Sequence, residues 1–116
     1  MFNQIKTSKE NKEVVSRITT KLRLGAENVI ARIAIGHSIS KNKKLDINNV
    51  KDSSGKAYSY KILLGEYDRV YIAMICQLYG IHKSDPDLAK YMKLHLDDGL
   101  DKLAEEDYSS INQIFA

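Results

Sequence analysis

Asp97 and Asp101 stand one helical turn apart, a spacing at which two carboxylates can hold a divalent ion for a metal-dependent, DNA-nicking nuclease. Asp98 lies between them. Lys93 falls four residues before Asp97 and Lys102 four after Asp98, so ordinary helix ion pairs also account for the cluster. A restriction-type nuclease would further need an acidic-x-Lys element after its first aspartate, and none follows Asp87. Cys76 is the single cysteine and sits among Ile75, Leu78 and Tyr79, the setting of an inert core thiol. His37, His82 and His95 are scattered without metal-ligand spacing, and His95 falls on an apolar helix stripe, as a satisfied core or interface histidine does. Ser54-Gly55-Lys56-Ala57 misses a phosphate loop at both ends, with Val50 in place of the first glycine and Ala57 in place of the Ser/Thr. No Gly-x-Ser-x-Gly elbow occurs. These residues predict no catalytic centre, no bound metal and no cofactor.

The basic residues suit a different chemistry. Lys41, Lys43, Lys44, Lys51 and Lys56 fall in a polar stretch, and Arg17, Lys21 and Arg23 line the helix ahead of it. Lysines and arginines so placed neutralise backbone phosphates and release condensed counterions without reading sequence. Tyr58 and Tyr60 either stack on an exposed base or, as alternating aromatics more often do, enter the core.

The elements that must carry these residues follow from periodicity. Phe2 to Lys6 is β-compatible, and Thr7-Ser8-Lys9-Glu10 fits a capping box with Thr7 as the cap. Val14, Val15, Ile18 and Leu22 then mark the apolar stripe of a first helix, which Gly25 is expected to stop. A second helix runs from about Ala26 to His37, with Val29, Ile30, Ile33 and Ala34 inward and Ile35 extending the apolar surface to both sides. The order strand, helix, glycine turn, helix is that of a ribbon–helix–helix unit. Residues 38–65 read as an irregular, flexible basic connection whose lysines stand mostly in water, with a strand through Tyr58, Tyr60, Ile62 and Leu64. The apolar run Val70 to Tyr79 predicts a helix that is central or shared with another subunit, ended by Gly80. Asp85 and Pro86 open a last helix with the stripe Leu88, Tyr91, Met92, Leu96, Leu100 and Leu103. Gly99 inside that helix predicts close approach of another backbone. Ile111, Ile114 and Phe115 offer a docking tail.

Composition bounds the rest. With 116 residues, 43% hydrophobic and 28% charged, the chain is expected to form one domain, residues 1–116, that folds without a disulfide staple. It contains neither a membrane span nor a signal peptide, which predicts a soluble cytoplasmic protein. The net charge of +3 hides an asymmetry: residues 1–61 carry 13 Lys or Arg against 5 Asp or Glu, and residues 62–116 carry 5 against 10. A basic front and an acidic rear suggest a polyanion-facing side.

Three stretches carry a family resemblance: Phe2-Asn3-Gln4-Ile5-Lys6-Thr7-Ser8, the block Leu22-Arg23-Leu24-Gly25 running on through Ala34, and Tyr91-Met92 through Asp98 to Gly99-Leu100. They resemble the DndE family of DNA sulfur-modification (phosphorothioation) proteins over essentially the whole length. The resemblance implies a mainly α, small helical bundle related to the ribbon–helix–helix class. It also implies a bacterial, non-catalytic subunit that assembles as a homotetramer, binds nicked or intact duplex DNA, and works beside the other modification subunits. Carried onto this chain by charge, the DNA-binding role falls to Lys41, Lys43, Lys44, Lys51 and Lys56, with Arg17, Lys21 and Arg23 in support. A nicking nuclease built on Asp97 and Asp101, or a scaffold docking through the acidic half, are the competing readings.

Overall fold

The computed structural model describes residues 3–105; the tail from Tyr108 to Ala116, and Phe2, lie outside the described residues. The chain is mainly helical. Strand β1 (Gln4–Lys6) leads into helix α1 (Lys9–Lys21) and helix α2 (Glu27–Ser40), and a 3₁₀ turn (Ile47–Asn49) precedes strand β2 (Ala57–Ser59). Short helix α3 (Tyr60–Leu64), a 3₁₀ turn (Gly65–Tyr67), helix α4 (Asp68–Tyr79) and helix α5 (Leu88–Glu105) complete it. The order strand–helix–helix is present, and β1 pairs antiparallel with β2 of the same chain, Ile5 opposite Tyr58.

Helices α2 and α5 form the centre. Ile30, Ala31, Ala34, Ile35 and Ile39 are buried along α2, so its apolar surface is covered on both sides. The α5 stripe of Leu88, Met92, Leu96, Leu100 and Leu103 packs into the same core. Gly99 lets the two helices touch, because a Cβ there would fall on the backbone carbonyl of Ala34. The sequence-based expectation of a close backbone approach at Gly99 is met.

Four expectations change. The cap of α1 is Ser8, whose hydroxyl accepts from the Asn11 amide, not Thr7. Thr7 belongs to the ribbon instead: its amide donates to the Lys56 carbonyl and its Oγ1 accepts from the Lys56 amide, both at 2.9 Å. Helix α1 ends at Lys21, ahead of Gly25, through the amides of Arg23 and Leu24 donating back to Thr20 and Thr19. Arg23 takes the left-handed conformation (φ 55°) that glycine usually supplies.

The strand expected through Leu64 stops at Ser59. The Ser59 hydroxyl accepts from the Ile62 amide and caps α3, which buries the adjacent pair Leu63 and Leu64, residues that a strand with one buried face would place on opposite sides. Helix α4 is peripheral, not central. It buries Ile72 and Ile75, while Val70 stays 56% exposed, because α2 and α5 already occupy the centre. Gly80 ends it in the left-handed conformation, and the Asp85 carboxylate accepts from the Asp87 amide ahead of α5.

Candidate nucleic-acid interface

Residues 38–65 are tied to the rest of the fold by hydrogen bonds at several points. Asp52 accepts from the amides of Lys9 and Ser54, which hold its carboxyl below the usual carboxylate range. Gly55 donates to the Thr7 carbonyl, and Lys93 Nζ on α5 reaches the carbonyls of Lys6 and Asp52 at 2.8 Å each. Ribbon, the 38–65 segment and α5 therefore share one lysine.

That lysine faces Asp97. The Lys93 Nζ to Asp97 Oδ2 distance is 2.7 Å, and both side chains are buried. Asp97 Oδ1 accepts from the Ser8 amide at 3.1 Å and from Asn11 Nδ2 at 2.9 Å. Both carboxylate oxygens are thus engaged, and Asp97 ties the start of α1 to α5. Lys102 lies 3.5 Å from Asp98, the pair expected from the sequence. Lys51 Nζ lies 2.5 Å from Asp101. Burial works against the charge of Lys51, but the hydrogen bond and charge of Asp101 outweigh it and raise its pKa. Among the described residues no cluster of acidic, His or Cys side chains has metal-binding geometry.

His95 is buried between two hydroxyls, Ser38 Oγ at 2.8 Å from Nδ1 and Tyr79 at 2.7 Å from Nε2. The proton directions follow from the ends of this chain of groups. Ser38 donates its single hydroxyl proton to Asp98 at 2.6 Å, so Nδ1–H of His95 donates to Ser38. Nε2 then accepts from the Tyr79 hydroxyl, whose oxygen accepts from the Leu45 amide at 2.9 Å. Every bond runs one way, from the Leu45 amide to the Asp98 carboxylate, and a neutral imidazole is what it requires. Burial pushes the pKa of His95 down to about 4, with Asp98 opposing. Tyr79 also stacks on Tyr91, ring centroids 4.0 Å apart. The expectation of a satisfied core histidine holds.

The basic residues divide into three groups. Lys41, Lys43 and Lys44 are exposed beyond the C-terminus of α2, where cations complement the helix dipole, and they make no ion pair among the described residues. Arg17, Lys21 and Arg23 are exposed at the end of α1. Lys56 Nζ lies 3.9 Å from Glu27 at the start of α2, close to α1, whose Ser16 also bonds Glu27. The 14 residues of α2 put about 20 Å between this end and Lys41. Lys51, in the segment ahead of β2, stands apart and is neutralised by Asp101 of α5. Tyr58 is 3% exposed, so it is core and cannot stack on a base, and Tyr60 donates its hydroxyl to Asp68 at 2.6 Å.

Sequence reasoning passed over the residues that face Lys43 and Lys44. Asn42, in the left-handed conformation (φ 53°), turns the chain beyond α2. Its side chain, with Gln77, Met74 and Leu78 of α4 and Ile39 of α2, lines an open groove of about 790 Å³ beside the two lysines. The signal in the sequence was Asn42 directly after a helix end, a residue type that tolerates this conformation.

Residues 4–110 match the family described as DNA sulphur modification protein DndE. The fold is similar to the crystal structure of DndE from Escherichia coli B7A, a protein involved in DNA phosphorothioation modification, with TM-score 0.70 and 18% identity over 89% of this chain and 98% of that one. A double glycine-to-lysine variant of DndE is similar at TM-score 0.71 and 19% identity, with the same coverage. No curated protein matches the chain. With the match spanning nearly all of its length, this chain belongs to the DndE family of DNA sulphur modification proteins.

Proposed function

We propose that the chain is a non-catalytic DNA-binding subunit of a DNA phosphorothioation system that holds duplex DNA, nicked or intact, through backbone phosphates. The observation that carries this reading is the contrast between its lysines and its carboxylates. Lys41, Lys43 and Lys44 project unpaired from a held turn, whereas Asp97, Asp98 and Asp101 are each tied up by a lysine. The first arrangement suits phosphate binding. The second leaves none of these three carboxylates poised for a metal, against the nicking nuclease. The two basic groups at either end of α2, about 20 Å apart, span about six steps of a duplex strand.

Fluorescence anisotropy with intact and nicked duplexes at several salt concentrations tests the reading. Affinity is expected to fall steeply with salt, and Lys43→Glu with Lys44→Glu is expected to weaken it without unfolding the protein. Salt-insensitive binding overturns the reading. So does magnesium-dependent nicking of supercoiled DNA that Asp97→Ala abolishes while the fold is retained.

A protein-facing role has its own support. Ile62, Tyr67 and Val70 of the α3–α4 region are 58%, 49% and 56% exposed, a run of large apolar side chains that would be covered in an assembly. We propose that the homotetramer implied by the family resemblance forms through this surface. Val70→Asp is expected to lower the molecular mass in solution, and an unchanged mass removes this surface from the interface.

A further inference from the structure

We propose that the groove between the end of α2 and helix α4 is a binding site for a single unpaired nucleotide. The inference rests on the DNA-binding reading and goes beyond phosphate contact. The open groove has a volume of about 790 Å³, within the range of about 300–1,000 Å³ typical of small-ligand sites. Its apolar lining comes from Ile39, which is buried, and from Met74 and Leu78, which are half-buried. Asn42 and Gln77 are exposed on the two opposing elements, and Lys43 and Lys44 stand beside them.

Each part has one fitting counterpart. The flat face of a base buries against aliphatic and thioether surface, as bases do in pockets that receive them outside the stack. Asn and Gln amides each present a donor beside an acceptor, which matches the hydrogen-bonding edge of a base. The two lysines match the phosphates on either side of it, and the lining contains no carboxylate to oppose them. A purely apolar peptide segment would leave both lysines and both amides without a role. A paired base cannot enter, because its face and edge are already engaged in the duplex, so the occupant is a nucleotide at a gap, an end or another unpaired position.

The wall that carries the lysines is built before any ligand arrives. The Asn42 amide donates to the Ile39 carbonyl at 2.9 Å, which fixes the turn on its near side. On the far side the Leu45 amide is held by the Tyr79 hydroxyl and, through it, by buried His95. Lys43 and Lys44 lie between these two anchors, so their backbone is placed in advance and only their side chains remain to be ordered on binding.

The test compares two single-stranded probes of equal length and charge on the full chain, oligothymidylate and an abasic oligomer of the same backbone. Oligothymidylate is expected to bind about tenfold more tightly or better, equivalent to about 1.4 kcal/mol. Gln77→Ala, at an exposed position, and Met74→Ala are expected to erase that preference while leaving abasic binding unchanged. Lys43→Ala with Lys44→Ala is expected to weaken both probes. Equal affinity for the two probes, or a preference untouched by both groove variants, overturns the proposal while phosphate binding stands. Duplex binding with no binding of either probe does the same. Failure of every DNA probe overturns the functional reading itself. An oligoglutamate of equal charge that binds as tightly as oligothymidylate and is equally sensitive to Met74→Ala overturns the proposal in favour of an acidic peptide.

Discussion

Gly99 of α5 packs directly against the carbonyl of Ala34 on α2, leaving no space for a Cβ between the two helices. This contact sets the distance at which the two central helices cross, and through them the placement of Ser38, His95 and the turn bearing the lysines. Gly99→Ala is expected to destabilise the protein by about 1–3 kcal/mol, as overpacking does, despite the gain of about 1 kcal/mol in helix propensity. Urea denaturation reads the difference, and a variant as stable as the parent would show that α2 and α5 can slide apart freely.

Asp97 and Asp101, one turn apart on α5, are predicted to behave very differently. Asp97→Asn leaves the buried Lys93 ammonium without its counter-charge and is expected to cost about 3–5 kcal/mol. Asp101→Asn removes only a partly exposed pair with Lys51 and is expected to cost about 0–1 kcal/mol. Equal unfolding midpoints for the two variants would refute the assignment of Asp97 as the tie between α1 and α5.

The acid limb of stability carries the signature of His95. Its folded pKa of about 4 lies below the ordinary histidine value of 6.5, so the unfolded chain binds a proton first. Stability is complete above about pH 6.5 and declines as the pH falls toward about 4, by about 3 kcal/mol from this group. His37, lowered by burial and by Lys41, acts in the same direction. Stability curves of the parent and His95→Gln between pH 7 and pH 4 check this: the variant is expected to be less stable at pH 7 and to lose less on acidification.

Tyr79→Phe keeps the ring stacked on Tyr91 but removes the hydroxyl that links Leu45 to His95. The expected cost is about 1–3 kcal/mol, because buried His95 and the half-buried Leu45 amide lose a bond at once. Hydrogen exchange at the Leu45 amide is the local readout, and protection equal to the parent would show that other contacts hold the turn.

Within the basic residues, Lys43→Glu and Lys44→Glu are each expected to lower DNA affinity and to reduce the salt slope by about 1 per lost phosphate contact. Lys51→Ala is expected to change affinity little, since Asp101 already neutralises its charge. A larger loss from Lys51 than from Lys43 would relocate the interface to the α5 side.

Much of this molecule was legible from residue type and spacing, because the interactions concerned are local. The stripes of α1 and α5, the Lys102–Asp98 and Lys93–Asp97 spacings and the Gly80 stop each depend on neighbours within a turn or two of chain, whereas the expected Asp85–Pro86 start gives way to a turn and α5 begins at Leu88. Residues far apart in the chain decided the rest. Thr7 lost its capping role to Ser8 because Lys56, 49 positions away, drew it into the ribbon. The run Val70–Tyr79 reads as central or shared with another subunit because its apolar content is high; within the chain α2 and α5 occupy the centre, packed together at Gly99, and leave α4 outside. Charge along the chain marked a basic front, yet only folding separated Lys51, cancelled by Asp101, from Lys43 and Lys44, which stand free at the groove. Sequence alone determined the four longer helices and their apolar stripes, but not α3. Which lysines keep their charge for a ligand, and what surface faces them, was decided by tertiary contacts, since a charge is neutralised by whatever lies beside it in space.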